Sequence, residues 1–165
     1  MNNEGYCDLH LHSYYSDGTC SPKYIVEKGY CASIREAFTT LLSKDSPYFR
    51  QRVFPNVFDM IDYIGEIGAV SILAHPFLQF DEENLREFLR EAQVHGLGGM
   101  ETVYTEFSDE QVALAKSIVQ EFGLIEGGGS DFHGWTKPDV ALGVGFGNLR
   151  VPTSIADKIK EKMRE

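Results

Sequence analysis

The chain has 165 residues, 42% of them hydrophobic, enough for the core of one compact domain rather than two. A formal net charge of −10 argues against broad electrostatic attraction to nucleic acid or anionic membranes, although bound cations can still bring phosphate groups to an acidic protein. No apolar run reaches the ~18 residues of a membrane span, and residues 1–4 lack the basic and apolar regions of a signal peptide, so a cytoplasmic location is expected. Cys7, Cys20 and Cys31 are odd in number and show no CxxC spacing. They support neither a disulfide framework nor a thiolate zinc site and read as small apolar fillers.

In chain order, residues 6–10 read as a first strand, followed by the sequence Ser13-Tyr14-Tyr15-Ser16-Asp17-Gly18, in which Gly18 permits a sharp turn. Ser21-Pro22 is a helix-start signal for a short helix over residues 23–29. Ser33-Ile34-Arg35-Glu36 is a possible capping box for a second helix with Ala37, Phe38, Leu41 and Leu42 on its apolar face. Residues 43–55 are irregular and carry Lys44, Arg50 and Arg52; they read as a solvated loop, with phosphate contact as the alternative.

Asn56 can cap a helix in which Val57, Met60, Ile61, Ile64 and Ile67 recur at three- and four-residue spacing and which Gly68 ends. Residues 69–74 form an apolar run expected of a strand buried on both faces, left by His75-Pro76. An amphipathic helix over 82–95 turns Leu85, Phe88, Leu89 and Ala92 inward. A strand over 99–104 is followed by a Ser108-capped helix through Val112, Ala115, Ile118, Val119 and Phe122. Another strand leads to Gly127-Gly128-Gly129-Ser130-Asp131-Phe132-His133-Gly134, and a terminal helix covers 153–163. Alternating helices and short strands imply an α/β fold built from parallel β-α units.

Chemistry concentrates at three places. His10 and His12, two apart on a strand, can approach one ion while Leu9 and Leu11 pack on the other side, and Asp131 and His133 repeat that spacing. His75 leaves the end of an apolar run. Histidine and aspartate together suit a divalent transition metal, and three such segments make this reading stronger than that of polar strand ends. His95 sits at a helix end, where it can bond the last carbonyls, and is assigned no catalytic role. Glu101 could reach the site but reads more simply as a supporting or packing residue. Trp135 could stack on a base or form a pocket wall. There is neither a Gly-x-Ser-x-Gly elbow nor the lysine of a phosphate-binding loop.

The motifs Asp8-Leu9-His10-Leu11-His12-Ser13 with Ser16-Asp17-Gly18, Leu73-Ala74-His75-Pro76, and Gly128-Gly129-Ser130-Asp131-Phe132-His133-Gly134 resemble those of the PHP (polymerase and histidinol phosphatase) superfamily. They look most like its small metal-dependent phosphoesterases, among them nucleoside 3',5'-bisphosphate phosphatases and 5'-to-3' exoribonucleases. The resemblance implies one domain over residues 1–165 with a distorted β/α barrel, residues 23–55 being the remainder of a helical insertion. It implies hydrolysis of phosphate esters of nucleotides or short RNA by metal-bound hydroxide, with Mn, Zn, Fe or Mg as the divalent ion. His10, His12 and Asp131 would hold a first ion, His75 would belong to a second, and Asp17 with His133 to a third.

Compared with that pattern, Ser21-Pro22 runs almost directly into the insertion-like Ile25-Val26-Glu27-Lys28-Gly29-Tyr30 and Glu36-Ala37-Phe38. A Thr-Asp-His-Asp motif, a bridging glutamate and a further histidine are missing. One metal site rather than a trinuclear cluster is therefore expected, in an incomplete barrel whose open edge invites self-association. A catalytically impaired remnant that binds metal or nucleotide, or that serves as an assembly module, is the alternative. A metal-dependent amidohydrolase is a third, although the lysine and further histidines it would need are not placed.

Overall fold

The structure, a computed structural model, describes residues 5–10, 27, 29, 32–40, 45 and 55–163. The chain divides into two compact units. One takes in residues 1–11, 55–132 and 139–165, and the other takes in residues 12–54 and 133–138. In the second unit, helix α1 (Ile34–Thr39) is capped by Ser33, whose hydroxyl accepts from Glu36 N at 3.1 Å. The Glu36 carboxylate reaches Ala32 N at 2.7 Å instead of the cap residue itself, so only half of the expected capping box forms. The predicted helix over 23–29 and loop over 43–55 fall almost wholly outside the described residues.

The first unit is a parallel α/β layer. Helix α2 (Val57–Glu66) leads to strand β1 (Ile72–Leu73), helix α3 (Glu82–Val94) to β2 (Gly99–Tyr104), and helix α4 (Asp109–Glu121) to β3 (Ile125–Gly129); α5 (Thr153–Lys162) closes the chain. The sheet order is β1-β2-β3, all parallel. Each helix before the last begins at a side-chain cap. Asn56 accepts from Phe58 N, Asp81 from Asn84 N, and Ser108 with Gln111 forms a complete capping box. Gly68, Gly96 and Gly123 follow three of these helices with φ of +74°, +86° and +60°, a conformation that costs glycine little.

Other sequence expectations change as well. On α2 the apolar residues are there, but Ile61 is the buried one, while Val57 and Ile67 are 47% and 63% exposed. The apolar run at 69–74 yields a strand of two half-buried residues, which pairs with β2 alone among the described residues. Among the described residues the sheet has three strands and is not closed into a barrel. Three strands are too few to close, since about eight strands enclose an interior just wide enough for side chains.

The register decides what each face carries. Glu101 pairs with Gly127 and Tyr104 with Gly129, with a bulge between Glu101 and Val103. Residues three apart on a regular strand point to opposite faces. The extra residue of the bulge brings Glu101 and Tyr104 onto one face, together with Gly127 and Gly129. Met100 and Leu73 lie on the other face, where α3 and α4 pack Leu85, Leu89, Ala92, Ala115 and Ile118 into the main core. Val103 meets a second cluster there, of Leu149, Val151 and Ile155, against which Cys7 also packs.

Residues 6–10 were expected to be a strand and form only an antiparallel bridge, Tyr6 with Pro152. They run beside β3 even so, with Leu9 N donating to Gly128 O at 3.2 Å and Asp131 N to His10 O at 2.7 Å. The ladder breaks because Ser130 N, between those two contacts, donates to the Asp8 carboxylate at 2.9 Å. No helix among the described residues is long and apolar enough to cross a membrane.

Leu89 is fully buried at the centre of the main core. Leu89→Ala should lower unfolding free energy by about 2–5 kcal/mol through lost transfer energy and a residual cavity, measured by urea denaturation.

Candidate metal centre

The site is assembled where the parallel strands end. His75 lies two residues beyond β1, Asp131 two beyond β3, and His10 ends the segment beside β3. One ligand atom from each of the three falls within 4.8 Å of the others. His10 Nε2 is 3.3 Å from Asp131 Oδ1, and the rings of His10 and His75 stack with centroids 5.3 Å apart.

Two of the three have unusual backbones. His75 has φ 30° and ψ 59°, and Asp131 has φ 55°; they are the non-glycine residues with positive φ among those described. Left-handed backbone at a histidine or aspartate costs on the order of 1–3 kcal/mol and concentrates at functional sites. Here it turns each chain sharply at a strand end, so that the side chain comes back toward its neighbours.

Glycine makes room for His10. A Cβ at Gly129 would lie 2.6 Å from His10 Cα and closer still to its N and Cβ, so only a residue without a side chain lets the His10 backbone cross here.

Glu101 holds two of the candidate ligands at once. Its Oε1 is 2.9 Å from His10 Nδ1, and its Oε2 accepts the His75 backbone N–H at 2.7 Å. The carboxylate is 2% exposed. A carboxylate on one ring nitrogen fixes the tautomer and presents the other nitrogen, here Nε2, to an ion. The hydrogen bond to Glu101 is the main cause that raises the His10 pKa above its ordinary value; burial opposes it, and the charges of Glu101, Asp131 and Asp8 reinforce it.

Tyr104, 3% exposed, donates its hydroxyl to Asp131 Oδ2 at 2.9 Å. Burial, then the bond to Asp131, push its phenol far up, so it remains a donor. Asp8 is engaged mainly by the backbone. It accepts from His10 N at 3.2 Å, Ser130 N at 2.9 Å and Gly143 N at 2.8 Å, and also from the Ser130 hydroxyl. Burial would raise its pKa, but these bonds together outweigh it and hold the carboxyl below the usual range.

The donor set fits a cation. Glu101 and Asp131 bring two nearly buried carboxylates beside one histidine, a charge balance that a dication relieves. His75 Nδ1 is buried and has no hydrogen-bond partner among the described residues. A buried imidazole nitrogen in such a position calls for a partner, and a metal ion is one that could serve.

Of the residues proposed from sequence, His10, His75 and Asp131 are therefore brought together in one group that could hold a metal ion. His133 lies in the second compact unit, where it precedes a 3-10 turn (Gly134–Thr136) that contains Trp135. His12 and Asp17 lie outside the described residues. His95 caps α3 and pairs with Asp62 at 2.9 Å while stacking on Phe58, away from this chemistry. Sequence reasoning missed Tyr104, whose signal depends on a bulge that no spacing rule reveals.

No family model matches the sequence, and no curated protein does. Among solved structures, the chain is similar to a candidate metal-dependent phosphoesterase from Bifidobacterium adolescentis, with a TM-score of 0.69 and 24% identity over 86% of this chain and 48% of that one. It is also similar to an amidohydrolase from Chromobacterium violaceum determined with bound sulfate and no metal, with a TM-score of 0.68 and 19% identity over 86% of this chain and 49% of that one. The likeness is one of fold, and the chain spans about half the length of either protein.

In metal-free protein, the His10 ring should titrate above the ordinary histidine value of 6.5, and Glu101→Gln should lower that midpoint, read by NMR of the ring protons. Because the folded-state pKa is raised, the pair's contribution to stability is fully present below pH 6.5 and fades as pH rises through the folded-state value. Identical midpoints in the two proteins would show that the carboxylate does not act on the ring.

Proposed function

We propose that this chain carries the divalent-metal centre of a PHP-type phosphoesterase, with nucleotides or short oligonucleotides as the substrate class. The observation that carries the reading is the convergence of His10, His75 and Asp131 at the strand ends, where the buried His75 Nδ1 has no hydrogen-bond partner among the described residues. The fold shared with a candidate metal-dependent phosphoesterase supports it, as do the sequence motifs. Two imidazoles with one carboxylate favour zinc, manganese or iron over magnesium, which prefers oxygen ligands and water. By resemblance, His12, Asp17 and His133 are further candidate ligands, and the sheet belongs to an incomplete barrel.

A divalent ion here would supply Lewis acidity and charge neutralisation for attack of water on phosphorus. The chain's own residues supply the rest. Glu101 holds the Nδ1 proton of His10, which keeps Nε2 available. Tyr104 and the strained backbone at residue 131 fix the Asp131 carboxylate, and burial of Glu101 and Asp131 keeps competing water from their oxygens.

The half-length match favours a second reading, in which the ion is held but hydrolysis is not performed. Elemental analysis after dialysis against Mn²⁺ or Zn²⁺, paired with phosphate release from a nucleoside 3',5'-bisphosphate, separates the two. The first reading expects about one ion per chain and phosphate release, both lost in Asp131→Ala; an ion without turnover selects the second, and no retained ion overturns both. Added ion should also raise the melting temperature, since free ion at one hundred times Kd stabilises the folded state by about 2.7 kcal/mol.

A further inference from the structure

We infer that Tyr104 determines how Asp131 meets the ion, by occupying Oδ2 with its hydroxyl so that the carboxylate offers Oδ1 as a single ligating oxygen. This rests on the metal reading above. Asp131 is 3% exposed, its Oδ2 accepts from the phenol at 2.9 Å, and its Oδ1 faces His10 Nε2 at 3.3 Å. The two oxygens thus have different surroundings: one is turned to a donor in the sheet, the other to the candidate ligands.

Tyr104 is not free to leave this position. Its ring lies 5.6 Å from that of His75 and 6.3 Å from that of His10, and Phe107 meets it edge-on at 5.1 Å. The bulge in β2 puts it on the face of the sheet that carries the site, and its register partner Gly129 is the residue over which His10 crosses. Tyr104 therefore touches or borders all three members of the donor group.

The consequence is a choice of ion. A carboxylate held to one oxygen, with two imidazole nitrogens, builds a low-coordinate set that water or a further side chain completes to four, the number zinc and cobalt accept. A carboxylate free to use both oxygens raises the coordination number and the oxygen share, which suits manganese better. Tyr104 would thus bias the centre toward zinc-like ions without touching the ion itself. It is a positioning residue.

Tyr104→Phe keeps the ring and removes the hydroxyl. Co²⁺ serves as the probe, because its visible absorption is intense when four-coordinate and weak when five- or six-coordinate. The wild-type chain should bind Co²⁺ with the intense spectrum, and Tyr104→Phe should bind it with a weak one, while competition shifts the Zn²⁺-to-Mn²⁺ affinity ratio toward manganese by about tenfold or more. Thr105→Val is the structural control. It removes the hydrogen bond from Thr105 to Ser130 O, 2.7 Å long, at the same strand end while keeping the Tyr104 hydroxyl on the Asp131 carboxylate. It should lower the melting temperature and leave the spectrum unchanged. A wild-type chain that binds no Co²⁺ defeats the metal reading. A wild-type chain that binds it with a weak spectrum, or a Tyr104→Phe chain that matches wild type in spectrum and affinity ratio, defeats the role of Tyr104 and leaves the metal reading standing.

Discussion

The buried carboxylate of Glu101 is the interaction on which the candidate centre depends. It grips the His10 ring through Nδ1 and the His75 backbone through its N–H, so two segments remote in sequence are held by one side chain in the middle of the central strand. A carboxylate 2% exposed is costly to bury, and losing a partner would leave much of that cost uncompensated. The surrounding structure meets the requirement with a charged or chargeable ring on one oxygen and a backbone donor on the other.

That arrangement is possible because β3 is made of glycine where it matters. Gly127 and Gly129 leave the site-bearing face of the strand bare: a Cβ at the first would press on Ile72, and one at the second would collide with His10. The opposite face does the ordinary work of stability, with Met100 and Leu73 covered by α3 and α4. Division of labour between two faces of one thin sheet follows from the period-two alternation of strands. The bulge at Thr102 is the single departure from that alternation, and it places both Glu101 and Tyr104 on the functional side.

Much of this was legible in the sequence. Capping signals at Asn56 and Ser108 and the apolar periodicity of Leu85, Leu89 and Ala92 mark helices that form nearly as read, and the α/β alternation gives a parallel sheet. His10 and Asp131 stand out by the repeated spacing of His10 with His12 and Asp131 with His133, and His75 by the apolar run it leaves; strand ends in such folds collect functional groups. Other features were hidden for physical reasons. Which side of α2 faces the core depends on neighbours rather than on its own periodicity, so Val57 and Ile67 are exposed although they fit an apolar stripe. Glu101 and Tyr104, three apart on a strand, seem to belong to opposite faces until a bulge is known. The role of Asp8 in holding the backbone together shows only in the donors around it, Ser130 N and Gly143 N among them.

X-ray absorption at the zinc edge of the metal-loaded chain tests the assembled centre most directly. At least two imidazole nitrogens and one carboxylate oxygen should surround the ion, with imidazole scattering reduced by one ring in His75→Ala. A shell of oxygens alone, or an imidazole count that His75→Ala leaves unchanged, would contradict the convergence of His10, His75 and Asp131 on one ion.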